Sequence, residues 1–508
     1  MLYTVNSYLE ESAKNYPLHP AIIDNEYSLT YEEVLIGARK IAHHLVSLGL
    51  FKKPIALMMD KNAFIVTVFF GIAMSGNYYT VIDSKMPTDR IKKILDTFKP
   101  CLIITDRHNE ASVNDLTDIY NCGVSVCEVE HVLKSKLCDD DICSVVNAQK
   151  KIIDTDVLYV LFTSGSTGVP KGVIITHRSV IDYTEWVNET FRLDNTVRMG
   201  NQAPFYFDNS VLDIYSTFCC GGTLYIIPQS KFAFPIRLLE FVRDNSINTI
   251  FWVPTVLTRI ADLGIIDKCE IDCLQRVLFA GEVMPARQLN VWRRRLPKAV
   301  FANLYGPTEI TVDCTYYIVD REISDDEAVP IGYACANTDV IVLNDDDKLV
   351  SIEEKGELCV RGSSLSLGYY NNPEKTKEVF VQNPLNDLYD ELIYRTGDIV
   401  HYNSRGEIIF DGRRDSQIKH TGHRIELGEI ETAVSSNEFV KLNCCLHDSA
   451  KDHLVLFYEG TIAPDELRPY LSKLLPEYML PNRSIQMSSM PLNMNGKIDR
   501  VKLSEMMV

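Results

Sequence analysis

The sequence predicts an α/β protein with a large N-terminal domain of α/β subdomains, a β-rich subdomain and a small α+β C-terminal domain. Strand and helix patterns alternate over the first 150 residues, short strands with glycine turns dominate from Val329 to Phe410, and the last 90 or so residues mix both patterns. Such alternation indicates a largely parallel sheet. A chain of 508 residues is also too long for one hydrophobic core, so more than one domain is expected.

The local patterns then place the elements in order. The second helix has the clearest start, because Thr30 can cap it and Glu33 completes a capping box. Helices are expected at 5–15, 29–50, 179–191, 235–244, 425–436 and 465–476, and strands at 21–24, 54–59, 101–106, 157–162, 222–227, 249–253, 275–280, 300–305, 441–448 and 453–460. The charged, irregular segment 107–150 is interpreted as peripheral surface structure.

Composition and charge exclude several classes of protein. With 46% hydrophobic and 24% charged residues the chain is typical of a soluble enzyme. Its net charge of −18 argues against nucleic acid as the main partner, since phosphate backbones are bound by clustered Lys and Arg. The basic cluster Arg293–Arg295 is interpreted as a solvated helix face.

The termini and the cysteines indicate a cytoplasmic protein. No basic segment followed by an apolar core opens the chain, and the longest nearly apolar run, Ala63–Met74, is well short of the roughly 20 residues that span a bilayer. The 14 cysteines are scattered and are interpreted as reduced core residues. Zinc is not favoured at Cys444, Cys445 and His447, because they alternate like strand residues and lack a second ligand pair.

The most informative stretch is LFTSGSTGVPKG, Leu161–Gly172, which follows an apolar strand pattern and combines hydroxyl residues, three glycines and Lys171. Glycines let the backbone turn its N–H groups towards an anion, and the lysine adds a cation, so the stretch is suited to phosphate. It is neither a P-loop nor a nucleophile elbow, because the required Gly-Lys-Ser/Thr and the glycine two residues before Ser166 are missing. A plain polar loop between a strand and a helix is the alternative.

A second informative position is Asp208, which aromatic and apolar residues flank. A carboxylate in such surroundings is costly to bury without a partner, so it is either paired within the protein or kept for a cationic ligand. A helix N-cap supplied by Asp208 or Ser210 is the structural alternative.

The glycine-rich loop resembles the phosphate loop of the adenylate-forming superfamily, which includes acyl-CoA synthetases, luciferases and the adenylation domains of nonribosomal peptide synthetases. Six further blocks follow in the family's order: NQAPFYFDNSVLDIY (Asn201–Tyr215), AGEVMP (Ala280–Pro285), NLYGPTE (Asn303–Glu309), YRTGD (Tyr394–Asp398), GRRDSQIKHTGHRIELGEIE (Gly412–Glu431) and NGKIDR (Asn495–Arg500). Seven blocks in order along nearly the whole chain identify it as a member of this superfamily and imply the adenylate-forming enzyme fold.

The resemblance implies ATP and Mg²⁺ as cofactors, with no bound organic cofactor. It places Tyr305 against adenine, Asp398 on the two ribose hydroxyls, and Glu309 on the metal. A carboxylate suits the ribose because its two oxygens can accept both donors. Catalytic roles fall to Lys497, Lys171 and Glu309. The implied ATP contacts are Thr163, Ser164, Gly165, Ser166, Thr167, Gly168, Lys171, Gly281, Glu282, Asn303, Tyr305, Gly306, Thr308, Asp398, Arg413 and Lys497.

The family's domain organisation divides the chain into an N-terminal adenylation core, residues 1–414, and a mobile C-terminal lid, residues 415–508. Asp415 occupies the hinge position. Lys497 would act in the adenylating conformation, and rotation about the hinge would then bring the segment around Gly422 to the site. The chain ends soon after NGKIDR, so a carrier protein is expected in trans.

The implied reaction is ATP-dependent activation of an amino acid as aminoacyl-AMP, followed by transfer to the phosphopantetheine thiol of the carrier. Asp208 matches the aspartate that holds the α-ammonium group in amino-acid-activating relatives. Two alternatives remain: an acyl- or aryl-CoA synthetase, which Asp208 disfavours, and an inactive nucleotide-binding protein, which the intact motif residues disfavour. The enzyme is expected to be a monomer without membrane insertion.

Alignment of the blocks also indicates which residues bind the substrate. Besides Phe207 and Asp208, the residues around its side chain are Asn209, Leu212, Phe251, Leu278, Ala280, Leu304, Val312 and Asp313. Most are apolar or bulky, which favours a small or hydroxylated amino acid, with a short basic one second. The chain is most similar to freestanding D-alanine:D-alanyl carrier protein ligases, but Ala280 and Asp313 depart from their pattern, so serine and D-alanine both remain open.

Overall fold

A computed structural model describes residues 3–119, 124–165, 168–414, 417–420, 422–448, 451–491 and 498–507 of the chain. The α-helices are α1 (Asn6–Asn15), α2 (Tyr31–Ser47), α3 (Ala63–Met74), α4 (Thr88–Phe98), α5 (Glu110–Ile119), α6 (Val129–Leu133), α7 (Asp139–Gln149), α8 (His177–Phe191), α9 (Asn209–Val211), α10 (Thr217–Cys220), α11 (Gln229–Phe232), α12 (Pro235–Asp244), α13 (Pro254–Asp262), α14 (Ala286–Arg295), α15 (Pro373–Val379), α16 (Leu427–Ser435), α17 (Pro464–Leu471) and α18 (Arg500–Ser504). A π-helical turn covers Leu212–Ser216, and 3₁₀ turns cover Ile266–Lys268, Thr308–Ile310 and Glu477–Met479.

The strands form five sheets. They are β1 (Pro20–Ile23), β2 (Ser28–Thr30), β3 (Pro54–Met58), β4 (Tyr78–Val81), β5 (Leu102–Thr105), β6 (Ser125–Glu128), β7 (Val157–Thr163), β8 (Lys171–Thr176), β9 (Arg198–Asn201), β10 (Thr223–Ile226), β11 (Thr249–Trp252), β12 (Arg276–Phe279), β13 (Val300–Tyr305), β14 (Thr315–Ile318), β15 (Tyr333–Ala334), β16 (Thr338–Leu343), β17 (Gly356–Gly362), β18 (Phe380–Gln382), β19 (Leu392–Tyr402), β20 (Ile408–Arg413), β21 (Gln417–His420), β22 (His423–Glu426), β23 (Val440–Asp448), β24 (His453–Gly460) and β25 (Arg483–Met487).

The chain divides into two compact units. The first comprises Met1–Asp83, Lys99–Leu161 and Val173–Gly412, and the second comprises Ser84–Phe98, Phe162–Gly172 and Arg413–Val508. The second unit therefore includes α4 and the residues that join β7 to β8, besides the C-terminal part of the chain.

Two large sheets and a smaller antiparallel one organise the first unit. The nine-stranded sheet has the order β15-β14-β13-β12-β11-β9-β10-β1-β2, and its strands from β13 to β1 run parallel. The six-stranded sheet has the order β6-β5-β3-β4-β7-β8 and is parallel from β6 to β7. The five-stranded sheet, β16 to β20, is the expected β-rich subdomain. The α/β fold with a largely parallel architecture is thus confirmed.

The second unit has its own small core around a three-stranded sheet of order β23-β24-β25, besides the β21-β22 hairpin. Alternate residues of the central strand β24 belong to two hydrophobic clusters: Leu454, Leu456 and Tyr458 to one, Val455 and Phe457 to the other. Since successive side chains of a strand point to opposite faces, both faces of β24 are covered by apolar side chains.

Local signals predicted several elements well. The capping box of α2 is present, because Thr30 Oγ1 accepts from Glu33 N–H at 3.3 Å and Glu33 Oε2 accepts from Thr30 N–H at 2.8 Å. Segment 107–150 is more than peripheral, since β6 is a strand of the six-stranded sheet and α7 packs on α2. The sequence did not predict β6, because this strand is only four residues long and three of them are not buried.

The described cysteines are free thiols. Cys444 and Cys445 are buried, as expected for reduced core residues, and burial raises the pKa of Cys444 to about 11. Cys101, Cys138 and Cys143 are exposed, so they are not the core residues expected. None of the helices formed by the described residues combines the length and hydrophobicity needed to cross a lipid bilayer.

Candidate functional site

A buried tyrosine–aspartate pair lies in the first unit, where two sequence blocks meet. The hydroxyl of Tyr305, the last residue of β13, donates to the carboxylate of Asp398 in β19. A bulge in the β17–β19 pairing shapes this part of β19, where Gly397 N–H donates to Glu357 Oε1 at 3.0 Å. Bulges re-aim side chains. Asp398 is thus held by its strand and by the hydrogen bond from Tyr305.

Glu309 is a second buried carboxylate of the first unit. It lies in the 3₁₀ turn after β13 and is 0% exposed. Tyr369 donates its hydroxyl hydrogen to Glu309 Oε1 at 2.7 Å, and Ser366 N–H donates to the Glu309 carbonyl at 2.9 Å. An oxygen ligand fixed in this way fits a hard cation such as Mg²⁺, which takes one or two carboxylates and completes its shell with water and phosphate oxygens.

The backbone around Glu309 folds back tightly on itself. A Cβ at Gly306 would lie 2.4 Å from the carbonyl oxygen of Val312 and 2.6 Å from Cα of Asp313, so a larger residue does not fit. Val312 itself has a φ of 73°, which strains a β-branched residue. Such strain clusters at functional sites.

Asp313 is partnered within the protein. It is 1% exposed, and Tyr183 in α8 donates its hydroxyl hydrogen to Asp313 Oδ2 at 2.6 Å. Burial, followed by the charge of Asp313, raises the pKa of Tyr183 well above its usual value, so the tyrosine stays a neutral donor. One oxygen of Asp313 is therefore already occupied.

Asp208 lies at the N-cap position of α9, but its side chain makes no capping hydrogen bond. Ser210 instead donates its hydroxyl hydrogen to the Phe207 carbonyl at 2.7 Å. The capping alternative is therefore wrong. Burial, and then the charge of Asp208, raise the pKa of Tyr159, so the carboxylate acts on a buried hydroxyl of the six-stranded sheet. A π-helical turn follows directly, a feature that is frequent at functional sites.

The apolar residues expected around the substrate side chain come together. Leu212, Phe251, Leu278, Ala280, Leu304 and Val312 are all buried and belong to one hydrophobic cluster. Parallel pairing of β11 with β12 sets Phe251 beside Leu278. Phe207 and Asn209 are half-buried.

In the second unit, glycines shape the loop between β7 and β8. A Cβ at Gly165 would lie 2.0 Å from the Val169 carbonyl oxygen, and Gly168 has a φ of 75°. Gly168 N–H donates to the Gly165 carbonyl at 2.9 Å, and Lys93 of α4 donates to the Gly168 carbonyl at 2.9 Å. Thr163 Oγ1 lies 3.5 Å from the Lys171 carbonyl oxygen.

The donors of this loop are engaged by C-terminal residues of the same unit. Lys171 Nζ lies 3.5 Å from Glu426 Oε1, Gly165 N–H donates to Glu429 Oε2 at 3.3 Å, and Ser164 Oγ donates to the Arg424 carbonyl at 2.7 Å. Glu429 also pairs with Arg90 of α4, and both side chains are about 5% exposed or less. The groups of Lys171, Gly165 and Ser164 that could bind phosphate therefore contact oxygen atoms of the protein itself. Two of these oxygens belong to carboxylates.

The remaining expected residues have local structural contacts. Glu282 Oε2 accepts from Thr255 N–H at 2.8 Å and from Thr255 Oγ1 at 2.6 Å, so it stabilises the start of α13. Asn303 donates to the Pro330 carbonyl at 2.8 Å, and Gly281 has a φ of 94°. Thr308 opens the turn that carries Glu309, and Arg413 ends β20. Ser166, Thr167, Asp415 and Lys497 lie outside the described residues.

A family comparison fits this set of motifs. Residues 9–370 match the family model described as AMP-binding enzyme. The chain belongs to the family of AMP-binding enzymes. Its relatives include the D-alanine–D-alanyl carrier protein ligase of Staphylococcus aureus (strain MRSA252), with which this AMP-binding enzyme shares 32% identity over 98% of both chains.

Other relatives are longer than this AMP-binding enzyme. It shares 32% identity with gramicidin S synthase 2 of Brevibacillus brevis over 99% of its own chain, and 31% with tyrocidine synthase 1 of Brevibacillus parabrevis, also over 99%. It spans 11% of the first of these proteins and 45% of the second.

Solved structures show the same fold. The Vibrio cholerae adenylation domain AlmE, in complex with glycyl-adenosine-5′-phosphate, has a TM-score of 0.83 at 22% identity over 100% of this chain and 98% of its own. Holo-PA1221, which contains adenylation and PCP domains, has a TM-score of 0.84 at 22% identity over 99% of this chain and 84% of its own. The fold expected from the sequence blocks is therefore confirmed.

Sequence reasoning missed the partners of the site residues in this AMP-binding enzyme. Tyr183 and Tyr369 hold Asp313 and Glu309, and Glu426 and Glu429 engage the glycine-rich loop. The two glutamates do lie in the block GRRDSQIKHTGHRIELGEIE, which was a usable signal. Nothing local marks the two tyrosines.

Proposed function

We propose that this enzyme activates an amino acid with ATP, releasing pyrophosphate, and passes the aminoacyl group from aminoacyl-AMP to the phosphopantetheine thiol of a separate carrier protein. The observation that carries the proposal is Asp208. Its carboxylate is half-buried beside buried tyrosines, and a cationic α-ammonium group is a suitable partner for a carboxylate in such surroundings. The similarity to a D-alanine–D-alanyl carrier protein ligase over 98% of both chains supports the same reading.

In the first half-reaction a carboxylate oxygen of the amino acid attacks the α-phosphorus of ATP, and the bond to the β,γ-pyrophosphate breaks. Tyr305 contacts adenine while Asp398 accepts from the ribose hydroxyls. Lys171 and the N–H of Gly165 exchange Glu426 and Glu429 for phosphate oxygens, so negative charge that develops in the transition state meets fixed donors.

Glu309 would hold the Mg²⁺ that accompanies ATP, and this ion supplies charge neutralisation at the phosphates. Tyr369 orients the carboxylate through its hydrogen bond to Oε1. Lys497 is proposed to neutralise the substrate carboxylate and the α-phosphate in the same conformation.

The second half-reaction uses the same site after a rotation about Asp415. Residues 415–508 turn relative to 1–414, which withdraws Lys497 and brings the segment around Gly422 to the site. The thiol of the carrier's phosphopantetheine then attacks the adenylate carbonyl, a thioester forms and AMP leaves. Hinge closure lets one site serve two reactions. The enzyme acts as a monomer.

A small or hydroxylated amino acid is proposed as substrate, with serine and D-alanine first and a short basic residue second. Most of the proposed lining residues are apolar or bulky, which favours a small side chain. Asp313, which accepts from Tyr183, is proposed as the acceptor for a polar side chain of the substrate such as a serine hydroxyl.

Amino-acid-dependent exchange of labelled pyrophosphate into ATP tests the proposal without a partner protein. Each proteinogenic amino acid, D-alanine, β-alanine and simple carboxylic acids are assayed separately. We expect a signal from D-alanine or serine that Asp208→Asn reduces at least 100-fold, whereas Asp313→Asn changes only the ranking of substrates. A signal confined to acids without an amino group would overturn the proposal and favour a CoA ligase.

A further inference from the structure

A cluster of three potential metal ligands lies in the second unit. His420 ends β21, His447 lies in β23, and Asp452 lies in the turn before β24. His420 Nδ1 is 2.8 Å from Asp452 Oδ1, and His447 Nε2 is 2.7 Å from the same oxygen. All three ligand atoms lie within 4.8 Å of one another.

The strands fix this convergence. His447 is paired with Leu454 across β23 and β24, which places it close to the turn that carries Asp452. His420 is 6% exposed, and its ring lies 5.9 Å from the ring of His447, centroid to centroid. Asp452 has a φ of 50°, a conformation that aspartate tolerates better than most residues. Two imidazoles and one carboxylate are therefore held together by regular structure and one turn.

We propose that this cluster binds a divalent transition-metal ion, with Zn²⁺ as the preferred one, through His420 Nδ1, His447 Nε2 and Asp452 Oδ1. Neutral imidazole nitrogens and a carboxylate oxygen are ordinary zinc ligands, and three protein ligands plus water complete a tetrahedral shell. Bonds of about 2.0–2.1 Å place neighbouring donors roughly 3.3 Å apart, so the cluster has to open by only about 0.5 Å to admit the ion.

The site differs from the zinc site that the sequence disfavoured. Cys444 and Cys445 take no part, since the clustered ligand atoms belong to His420, His447 and Asp452. The other two ligands, His447 and Asp452, lie 27 and 32 residues after His420 in the sequence, a spacing without a sequence signature. The new site is also independent of the proposed Mg²⁺ ligand Glu309, which belongs to the first unit.

A bound ion would connect two segments of the second unit. The β21-β22 hairpin supplies one ligand, and the β23-β24 connection supplies the other two. Ions bound to the folded state add their binding free energy to its stability. Zn²⁺ would therefore stabilise the hairpin that carries Gly422 against the three-stranded sheet.

The test is a titration of the full-length enzyme with ZnCl₂ after chelator treatment and desalting, without ATP and in excess MgCl₂ to occupy hard-oxygen sites. We expect one equivalent of Zn²⁺ to bind, and CoCl₂ to give the visible absorption of a tetrahedral site. Asp452→Asn keeps an oxygen that can accept both hydrogen bonds but weakens ligation, so affinity should fall at least 30-fold.

His420→Gln should have the same effect, while His453→Gln, at an exposed neighbouring position of β24, should leave binding unchanged. The melting temperature of each variant without metal controls for folding. Binding of less than 0.1 equivalent, or binding that Asp452→Asn and His420→Gln leave intact, would overturn the proposal and leave the cluster as a hydrogen-bonded triad.

Discussion

The residues expected to contact the adenosine end of ATP and those expected at its phosphate end are held in different ways. In the first unit, Asp398 and Glu309 are each buried and held by a tyrosine hydroxyl, so a ligand finds them already oriented. In the second unit, Lys171 and Gly165 face the carboxylates of Glu426 and Glu429. The first arrangement only has to accept a ligand, whereas the second has to exchange one set of anions for another.

The comparison suggests a division of labour. Preorganised acceptors give affinity and orientation at little reorganisation cost. If Lys171 and Gly165 bind phosphate as proposed, ATP binding would be coupled to the release of Glu426 and Glu429.

The largest effect is expected from Asp398→Ala. The change removes the acceptor for two ribose hydroxyls and leaves the Tyr305 hydroxyl without its partner. Two hydrogen bonds to a charged group are worth about 4 kcal/mol together, so kcat/KM for ATP should fall about 10³-fold. Pyrophosphate exchange measures it, with Asp387→Ala at an exposed position as control. A loss of less than 10-fold would mean that Asp398 does not bind the adenosine end of ATP.

A buried histidine of the first unit, His177, allows the stability of this unit to be tested. It is 1% exposed. Burial lowers its pKa from 6.5 to about 4, so the unfolded chain binds the proton more readily between these values. The contribution of neutral His177 to the free energy of unfolding is therefore complete above pH 6.5. It is lost as the pH falls to 4, by up to about 3 kcal/mol.

His177→Gln should abolish this acid-dependent loss in urea unfolding followed by tryptophan fluorescence. All three tryptophans, Trp186, Trp252 and Trp292, are buried in the first unit and report on it alone. The matched variant is His423→Phe in the second unit, where burial lowers the pKa of His423 to about 3. It should not alter the tryptophan signal, and equal effects of both variants would show that the two units unfold as one.

A pair of glycine variants sharpens the contrast further. Gly306→Ala should destabilise the first unit by about 1–3 kcal/mol, because the new Cβ meets backbone atoms on both sides of a buried turn. Gly165→Ala would place its Cβ 2.0 Å from the Val169 carbonyl oxygen and displace the proposed phosphate donor Gly165 N–H, so KM for ATP should rise about 10-fold. The reverse pattern would contradict the comparison.

The smallest effect is expected from Glu426→Gln. It removes the anion that competes with phosphate for Lys171, from a pair whose side chains are 16% and 9% exposed. KM for ATP should fall about 3- to 10-fold, as for a partly buried ion pair of roughly 1 kcal/mol. The exposed Glu438→Gln is the control. An unchanged KM would mean that the pair does not compete with ATP.

The sequence was sufficient for features that depend on neighbouring residues. The capping box of Thr30 and Glu33, the bounds of α12 and the strand β13 all follow from local patterns, and the ordered blocks implied the fold. β6 escaped because a four-residue edge strand lacks a run of buried residues.

Pairings between distant residues could not be predicted in the same way. Tyr183 is 130 residues from Asp313, Tyr369 is 60 residues from Glu309, and Gly165 is 264 residues from Glu429. A tyrosine or glutamate in isolation carries no sign of its partner, since the topology that brings the two together is a property of the whole fold. The sequence therefore predicted Asp313 only as a substrate contact, and its motif did not indicate the hydrogen bond from Tyr183.

The central position of β24 has a consequence for the exchange of backbone amides with solvent. Its neighbours β23 and β25 take up its hydrogen bonds on both edges, and apolar clusters cover both of its faces. Deuterium can reach these amides only when the sheet itself opens. Residues 454–458 should therefore be the last of the second unit to exchange, and their exchange rate reports the global unfolding of that unit.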